Sequence, residues 1–326
     1  MKLQDEHKLP GGRIASLDQF RGFAILGMIV VNSLGHFDAI AETFKHPNYG
    51  MTFANTIAPF FLFAVGMGLR ISLANHIRKF GQIKGFRMAF SRYFTLILIG
   101  VVIYGPDPKL GMWDALVDIG FAGIITLPFI LGSKWIRMTT AIAFLILYQL
   151  LFIFSGYGEW VMNHSIDGGP LGVLSWASIL LFGSLLMDDF SSLNPESFIK
   201  RSLTYAVILM AAGFGVSILE PAPLWQFSQR SMTISYPLFA TGLCYALFIA
   251  FYWMADLKKI EIPHLTILGM NSLVLYLVQN VIIELRGDLL NRNAPLWQAL
   301  SWGIMVYLIC FVVARYMVRN KLFVKI

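Results

Sequence analysis

A chain of 326 residues could form two soluble domains, but 57% of its residues are hydrophobic and only 13% are charged, too few charges for a water-facing surface. The formal net charge of +7 would be compatible with a protein that binds nucleic acid. The basic residues lie instead in short connectors between apolar runs, as in membrane proteins that obey the positive-inside rule. We therefore expect no nucleic-acid partner and predict a polytopic protein in a lipid bilayer, built from helices that satisfy their own backbone.

Hydropathy and turn residues predict a single all-α transmembrane domain over residues 1–326, a bundle of about ten helices with both termini cytoplasmic. Residues 1–15 are the expected cytoplasmic tail, and the most basic stretch, 75–92, is predicted to be a cytoplasmic loop. The predicted helices cover residues 17–35, 53–74, 93–105, 113–132, 138–155, 171–187, 202–219, 233–254, 265–284 and 297–318. This count places most Lys and Arg side chains on the cytoplasmic side. The exceptions are Lys45, Lys109, Arg230, Arg286 and Arg292.

The first two predicted helices flank a polar loop that contains His46. Asn32 lies at the far end of the first helix and Asn55 near the start of the second, so a transmembrane hairpin brings all three side chains to one face of the bilayer. An imidazole exchanges protons near physiological pH and can act as a general base. A solvated loop histidine and amides that hydrogen-bond between helices are the plainer explanations.

Two aspartates four residues apart, Asp114 and Asp118, share one face of the predicted fourth helix. They can bind a cation or relay protons. They can equally form ion pairs with Arg286 or Lys109.

Other polar residues give weaker signals. His164 and Asp167 form a second acid–base pair within a connector, and Asn271 is a further amide inside a predicted helix. Two cysteines lie in apolar runs, and no metal-ligand, nucleotide-binding or serine-nucleophile motif occurs in the sequence. We therefore expect no disulfide framework and no metal.

The basic stretch suits a phosphate-rich ligand or anionic lipid headgroups. Arg92 and Arg70 adjoin predicted helix ends and are the side chains most expected to face such a ligand. Topology determination alone is the plainer explanation for most of the other basic residues.

Several stretches resemble, in order and spacing over nearly the whole chain, the motifs of the heparan-alpha-glucosaminide N-acetyltransferase family and its bacterial relatives. They are SLDQFRGFAILGMIVVN, KHPNYG followed by APFFLFAVGMGL, SRYFTLILIG, SIDGGPLGVLSWASILLFGSLL, SMTISYPLFATGL and LGMNSLVLYL. Each motif is weak alone, and their shared order makes the resemblance specific.

The resemblance implies transfer of an acetyl group from cytoplasmic acetyl-CoA to an acceptor on the other side of the membrane. Carried over by motif, the family's catalytic histidine and asparagine are His46 and Asn32. We expect Asn55, Asn271 and Asp118 to stabilise the oxyanion or to position the acceptor.

We further expect Arg92, with Arg70, to hold the nucleotide phosphates of CoA. The resemblance implies a homodimer, and we expect a bacterial inner membrane as the location. An amino sugar, a glycan and a small metabolite all remain open as acceptors. Direct attack and an acetyl-histidine intermediate both fit the sequence.

The chain departs from the family pattern at three places. Asn55 replaces an aspartate, Tyr49 replaces a tryptophan, and Val117–Asp118 stand where the family has a Gln–Arg pair. A transporter or lipid-handling protein without covalent chemistry is therefore an alternative. An acyltransferase with another donor, and a subunit that has lost activity, are two more. A measurement of acetyl-CoA binding distinguishes an acetyltransferase from a carrier, because a carrier need not bind acetyl-CoA.

Overall fold

The computed structural model describes residues 8–9, 13–107, 113–221 and 224–323. Lys109, which we expected outside the membrane, lies beyond this described part, as does most of the predicted tail. A two-residue antiparallel ladder pairs β1 (Lys8–Leu9) with β2 (Arg13–Ile14) ahead of the first helix.

Helices make up most of the described chain, which confirms the predicted all-α architecture. They are α1 (Ala15–Leu34), α2 (Ala54–Phe80), α3 (Gln82–Tyr104), α4 (Ala115–Thr126), α5 (Lys134–Phe154), α6 (Tyr157–His164), α7 (Gly169–Ser192), α8 (Pro195–Ser217), α9 (Ser235–Phe251), α10 (Pro263–Met270), α11 (Ser272–Glu284), α12 (Arg286–Leu289) and α13 (Leu296–Arg319). A 3₁₀ turn (Glu42–Phe44) lies in the loop after α1, and a π turn (Tyr252–Leu257) continues α9.

Among the described residues, seven helices are long and apolar enough to span a membrane: α2, α3, α5, α7, α8, α9 with its π turn, and α13. The α10–α11 pair is an eighth if its 86° bend lies within one span. The lengths and hydropathies thus support seven or eight spans where the sequence predicted about ten. Two predicted spans are not among these long apolar helices. They are α1, which carries Asp18 and Arg21, and α4, which has only 12 residues.

The basic stretch 75–92 is helical, which corrects the predicted loop. Gly81, with φ of 84°, separates the end of α2 from the start of α3. Because only glycine adopts this backbone conformation without strain, the two helices turn sharply there. The basic side chains therefore project from two helix ends.

Helices α2 and α7 form the centre of the bundle. In the most apolar stretch of each helix, 61% of the residues of α2 and 83% of those of α7 are buried. A Cβ at Gly66 would overlap the carbonyl oxygen of Leu180, and one at Gly183 would overlap that of Phe63. Small residues permit this close approach of helix backbones in membranes, where packing replaces the hydrophobic effect. The outer helices α3, α5, α8 and α13 are mostly exposed, as lipid-facing helices are.

Candidate functional site

A cavity of about 520 Å³, here called the histidine cavity, opens where α1, α3 and α11 end and where α2 and α4 begin. The polar residues of its wall that matter below are Asn32, His46, Asn55, Asp114, Asp167 and Gln229. The structure thus brings together Asn32, His46 and Asn55, the three side chains that the hairpin argument predicted to share one face.

A run of hydrogen bonds leads away from His46 along the cavity wall. His46 Nδ1 lies 3.5 Å from Asn55 Nδ2, which donates to Gln229 Oε1 at 3.2 Å. Gln229 Nε2 donates in turn to Asp167 Oδ1 at 2.8 Å. The orientation of the Asn55 amide is set because its Oδ1 accepts from the backbone N–H of Thr52 at 3.1 Å. The Thr52 hydroxyl lies 2.7 Å from the same oxygen and 2.9 Å from the carbonyl oxygen of Lys45. Two buried amide side chains, Asn55 and Gln229, therefore connect the histidine to the Asp167 carboxylate.

The loop that carries His46 is held by the segment before α9. Gly50 N–H donates to the carbonyl of Phe227 at 2.7 Å, and the Ser228 hydroxyl donates to the carbonyl of Asn48 at 2.6 Å. Arg230 donates to Asn48 Oδ1 at 3.0 Å. The same segment is joined to the Asp167 connector, because Gly168 N–H donates to the carbonyl of Arg230 at 3.0 Å. Residues 227–230 thus link two connectors that are far apart in sequence.

Burial shifts the pKa values at both ends of this run. His46 reaches the surface, yet enough protein surrounds its imidazole that desolvation lowers its pKa, while a hydrogen bond with the Gln229 side chain raises it. Burial, with the nearby charge of Asp114, raises the pKa of Asp167 to about 7, against the lowering effect of the Gln229 donor. A neutral imidazole is the form that can accept a proton.

A second polar group, formed by side chains of α3, α11 and the start of α4, also lines the histidine cavity. Tyr276 donates to Asp114 Oδ1 at 3.2 Å and lies 3.2 Å from the hydroxyl of Tyr104, which accepts from Asn280 at 2.6 Å. Asn32 also lines this cavity, and its side chain has no hydrogen-bond partner among the described residues. Its amide is therefore free to bind a ligand.

Other predicted residues lie elsewhere. Asp118 is 2% exposed, one turn farther into the bundle than Asp114, and not on the wall of either cavity. Asn271 lies at the bend between α10 and α11. His164 stacks on Trp160 and contacts its carbonyl oxygen through Nδ1, whereas Asp167 pairs with Gln229. The structure thus does not show His164 and Asp167 as a hydrogen-bonded pair.

A larger cavity of about 2060 Å³, here called the basic cavity, lies at the opposite ends of α1, α2, α3 and α11. Asn271 lines this cavity and not the one that contains His46. Among the described residues of its wall, Asp18 is the one carboxylate, and Arg13 pairs with it at 2.8 Å. The cationic residues of the wall are Arg13, Arg21, Arg78, Lys84, Arg87 and Arg92. This excess of positive charge suits phosphate groups.

Arg21 and Arg92 are partly buried on the wall of the basic cavity, whereas Arg78, Lys84 and Arg87 are exposed. Arg92 Nε is buried and has no hydrogen-bond partner among the described residues. Arg21 was not among the residues that the sequence argument selected, because an arginine inside a predicted membrane helix shows no spacing that reveals a ligand. Arg70, which was selected, points away and donates to Asp188 at 2.8 Å.

The two cavities approach each other within the bundle. On α2, Ala58 lines the histidine cavity and Phe61 lines the basic cavity, a separation of about 4.5 Å along the helix axis. On α4, Ala115 and Ile119 stand in the same relation, about 6 Å apart along the axis. A narrow ligand chain that enters from the basic cavity would therefore cross less than two helical turns to reach the histidine cavity.

Residues 13–179 match the sequence profile described as "Heparan-alpha-glucosaminide N-acetyltransferase, catalytic". This match covers just over half of the chain and includes His46, Asn32 and Asp167. The chain belongs to the heparan-alpha-glucosaminide N-acetyltransferase family. With its apolar helices, this membership makes it an integral membrane protein of an acetyltransferase family, as the motif resemblance implied.

Two relatives illustrate the extent of the similarity. The human protein named heparan-alpha-glucosaminide N-acetyltransferase is 35% identical over 108 residues, which are 31% of this chain and 16% of that protein. An uncharacterized 39.9 kDa protein of Bacillus acidopullulyticus is 31% identical over 150 residues, 43% of this chain and 40% of the relative. The matched parts therefore span less than half of either relative.

Gln229 is the site residue that the sequence argument missed, and it lies beyond the part matched by the family profile. It occurs in a polar connector, WQFSQRSM, where nothing in the spacing distinguishes one amide from another. Only the fold places it between Asn55 and Asp167.

Proposed function

We propose that this protein transfers an acetyl group across the membrane, from acetyl-CoA bound in the basic cavity to an amino sugar, glycan or similar acceptor in the histidine cavity. The observation that carries the proposal is the arrangement of the two cavities. One is rich in cationic side chains and the other contains His46, and they approach within about 4.5 Å along the axis of α2.

The basic cavity fits the donor. CoA is too highly charged to cross lipid, so its phosphates must stay with cations at one face while the uncharged pantetheine arm enters the bundle. Arg92 and Arg21 are suited to the phosphates, because guanidinium groups bind them with two parallel hydrogen bonds. We leave Arg70 out of this set, because its Nε and Nη2 already donate to Asp188 and it does not line the basic cavity.

The histidine cavity supplies the chemistry of the acceptor. His46 takes the proton from the acceptor amine or hydroxyl as that group attacks the thioester carbonyl, and general-base catalysis of this kind contributes about 10²–10⁴-fold. The C–S bond breaks as the new C–N or C–O bond forms, and the CoA thiolate takes the proton from His46. Asn32, which lines the same cavity, donates to the oxyanion in this proposal, and one such donor contributes about 3–4 kcal/mol.

The proposal includes the arrangement in the membrane. Ten spans with both ends cytoplasmic put the basic cavity at the cytoplasmic face, with α1, α4 and the α10–α11 pair added to the seven long helices. The positive-inside pattern supports this orientation. The proposal further includes a location in a bacterial inner (plasma) membrane, and the family resemblance supports a homodimer.

The test is acetyl transfer by the purified protein in detergent. Radiolabelled acetyl-CoA is mixed with a panel of amino sugars, and labelled product and released CoA thiol are both measured. We expect equal amounts of product and thiol for the wild type, and none for His46→Gln with unchanged acetyl-CoA binding. Absence of transfer with absence of acetyl-CoA binding at millimolar concentration would overturn the proposal in favour of a carrier.

A further inference from the structure

Among the described residues on the wall of the histidine cavity, three carry a carboxylate: Asp114, Asp167 and Glu284. Asp167 is 6% exposed and already accepts from Gln229 at 2.8 Å, and Glu284 is exposed to solvent. Asp114 is half-buried and forms no ion pair with any described residue. The pairing with Arg286 that the sequence allowed is therefore not made, and Asp114 remains open to a bound cation.

Hydrogen bonds hold the Asp114 carboxylate from two sides. Its Oδ1 accepts from the backbone N–H of Ala115, so that Asp114 caps α4, and it also accepts from the Tyr276 hydroxyl at 3.2 Å. Tyr276 has one hydroxyl proton to give, so the Tyr104 hydroxyl, 3.2 Å away, donates to Tyr276 and itself accepts from Asn280 at 2.6 Å. Every proton of this chain points toward the carboxylate. The described residues donate to Oδ1 and not to Oδ2, which leaves Oδ2 available to a ligand.

This carboxylate lies where the two cavities approach each other. On α11, Val274 lines the basic cavity and Tyr276 lines the histidine cavity, a separation of about 3 Å along the helix axis. On α4, Asp114 directly precedes Ala115, which faces the histidine cavity four residues before Ile119 of the basic cavity. A group bound to Asp114 therefore lies near the point at which a donor arm enters from the basic cavity.

The surroundings of Asp114 suit an ammonium group better than a metal ion. Hydrogen bonds from an ammonium to a carboxylate are about twice as strong as those between neutral groups. A metal ion such as Ca²⁺ needs several oxygen ligands at once. In the described part of the chain, no group of three or more His, Cys, Asp or Glu side chains is placed to hold a metal ion. One carboxylate with a tyrosine hydroxyl beside it is sufficient for an amine.

Three described lysine and arginine side chains also line the histidine cavity, and each of them contacts a partner other than Asp114. The contacts are Lys45 with Glu42 at 2.8 Å, Arg230 with Asn48 at 3.0 Å, and Arg286 with the ring of Phe37, whose centroid lies 5.9 Å from the guanidinium carbon. A cation that reaches Asp114 therefore does not have to displace an ion pair.

We propose that Asp114 is a specificity-determining residue for the acceptor: it binds the acceptor amine as an ammonium ion, beside Tyr276 and at the junction of the two cavities. This inference rests on the proposed function for the reaction, and it makes the acceptor an amine and not a hydroxyl compound. The bound ammonium releases one proton to the outer solvent before the attack, and His46 takes the second proton as described above. Asp118, which the sequence argument chose to position the acceptor, lies on neither cavity wall. Asp114, one helical turn earlier, has that role instead.

Equilibrium binding to the purified protein in detergent at about pH 7 tests this site, with radiolabelled glucosamine and glucose as the probes. The two sugars differ by one amino group, which is mostly protonated at this pH if it resembles an α-amino group, with a pKa of about 7.7–8.0. We expect the wild type to bind glucosamine about 10–100-fold more tightly than glucose. Asp114→Asn removes the charge and keeps a residue that caps helices equally well, so it should fold normally. In this variant the preference for glucosamine should disappear, with the affinity for glucose unchanged.

Two further variants assign the preference to this carboxylate. Tyr276→Phe removes a hydrogen bond and keeps the charge, so part of the preference should remain. Glu159→Gln removes a negative charge from an exposed position of α6 and should leave the preference unchanged. Equal affinity of the wild type for the two sugars would overturn the inference, as would a preference that persists in Asp114→Asn or is lost in Glu159→Gln. A wild type that binds glucosamine through Asp114 but transfers no acetyl group would remove the proposed function and leave the ammonium site.

Discussion

Arg21 on α1 occupies the space that a side chain at Gly68 on α2 would need. A Cβ at position 68 would overlap Nη2 of Arg21, which lies 3.4 Å from the carbonyl oxygen of Ala64 on the same helix. The missing side chain lets the guanidinium pass α2 and reach the basic cavity. The glycine at position 68 thus allows Arg21, an arginine within a predicted membrane helix, to be accessible to a ligand in the basic cavity.

Gly68→Ala should displace Arg21 and weaken acetyl-CoA binding. Hydrogen bonds to charged groups contribute about 1.5–3 kcal/mol, so we expect affinity to fall by about 10–100-fold. Binding is measured by the shift in unfolding temperature against ligand concentration in detergent. Gly215→Ala on α8, where a Cβ meets no atom within 4 Å, is the matched control. Unchanged affinity in Gly68→Ala would show that Arg21 does not contact the donor.

Arg92→Ala and Arg70→Ala should separate binding from stability. Arg92 has a buried, unpaired Nε in the basic cavity, so its loss should reduce acetyl-CoA affinity about tenfold or more with little change in unfolding temperature. Arg70 pairs with Asp188, which also contacts Arg137. Its loss should destabilise the protein by about 1–3 kcal/mol without changing the affinity of the folded fraction. The reverse pattern would restore Arg70 as the phosphate ligand.

The sequence predicted the helices better than it predicted their interruptions. Apolar runs and charge placement located every long helix, because length and hydropathy are local properties. The bend at Asn271, the junction at Gly81 and the short helix α6 were not predicted. Each of these features depends on packing between segments that are distant in the chain. The hydrophobic periodicity of a single segment contains no information about such packing.

The candidate site was predictable to the same extent. His46, Asn32 and Asn55 could be placed together because two consecutive helices form a hairpin. Gln229 is 174 residues from Asn55, and no local pattern places it there. Asp167 was noticed with the wrong partner, His164, because sequence proximity suggested a pair that the fold does not make.

Asp167 should make the stability of the protein depend on pH. Its folded-state pKa of about 7 lies above the ordinary value of about 3.9, so the folded state favours the neutral acid. This contribution to stability is complete below about pH 4 and is lost as the pH rises through about 7, with an upper bound of about 4 kcal/mol. Asp167→Asn is neutral throughout, so it should stabilise the protein more at pH 8 than at pH 5.

The measurement for this prediction is the unfolding temperature of the variant minus that of the wild type at each pH. Glu159→Gln, on the exposed face of α6, is the control and should give a difference near zero at both pH values. A difference for Asp167→Asn that is constant with pH would show that Asp167 is ionised in the folded protein throughout this range.

The most direct test of the central claim is acetyl transfer between two compartments. The protein is reconstituted in sealed vesicles with the basic face outward, labelled acetyl-CoA is added outside, and a membrane-impermeant amino sugar is enclosed inside. The account predicts labelled N-acetyl sugar inside the vesicles, with an equal amount of CoA thiol outside. It also predicts less than about 1% of that rate for His46→Gln at unchanged acetyl-CoA binding. Wild-type transfer in His46→Gln, or product formed only when both substrates share one side, would contradict it.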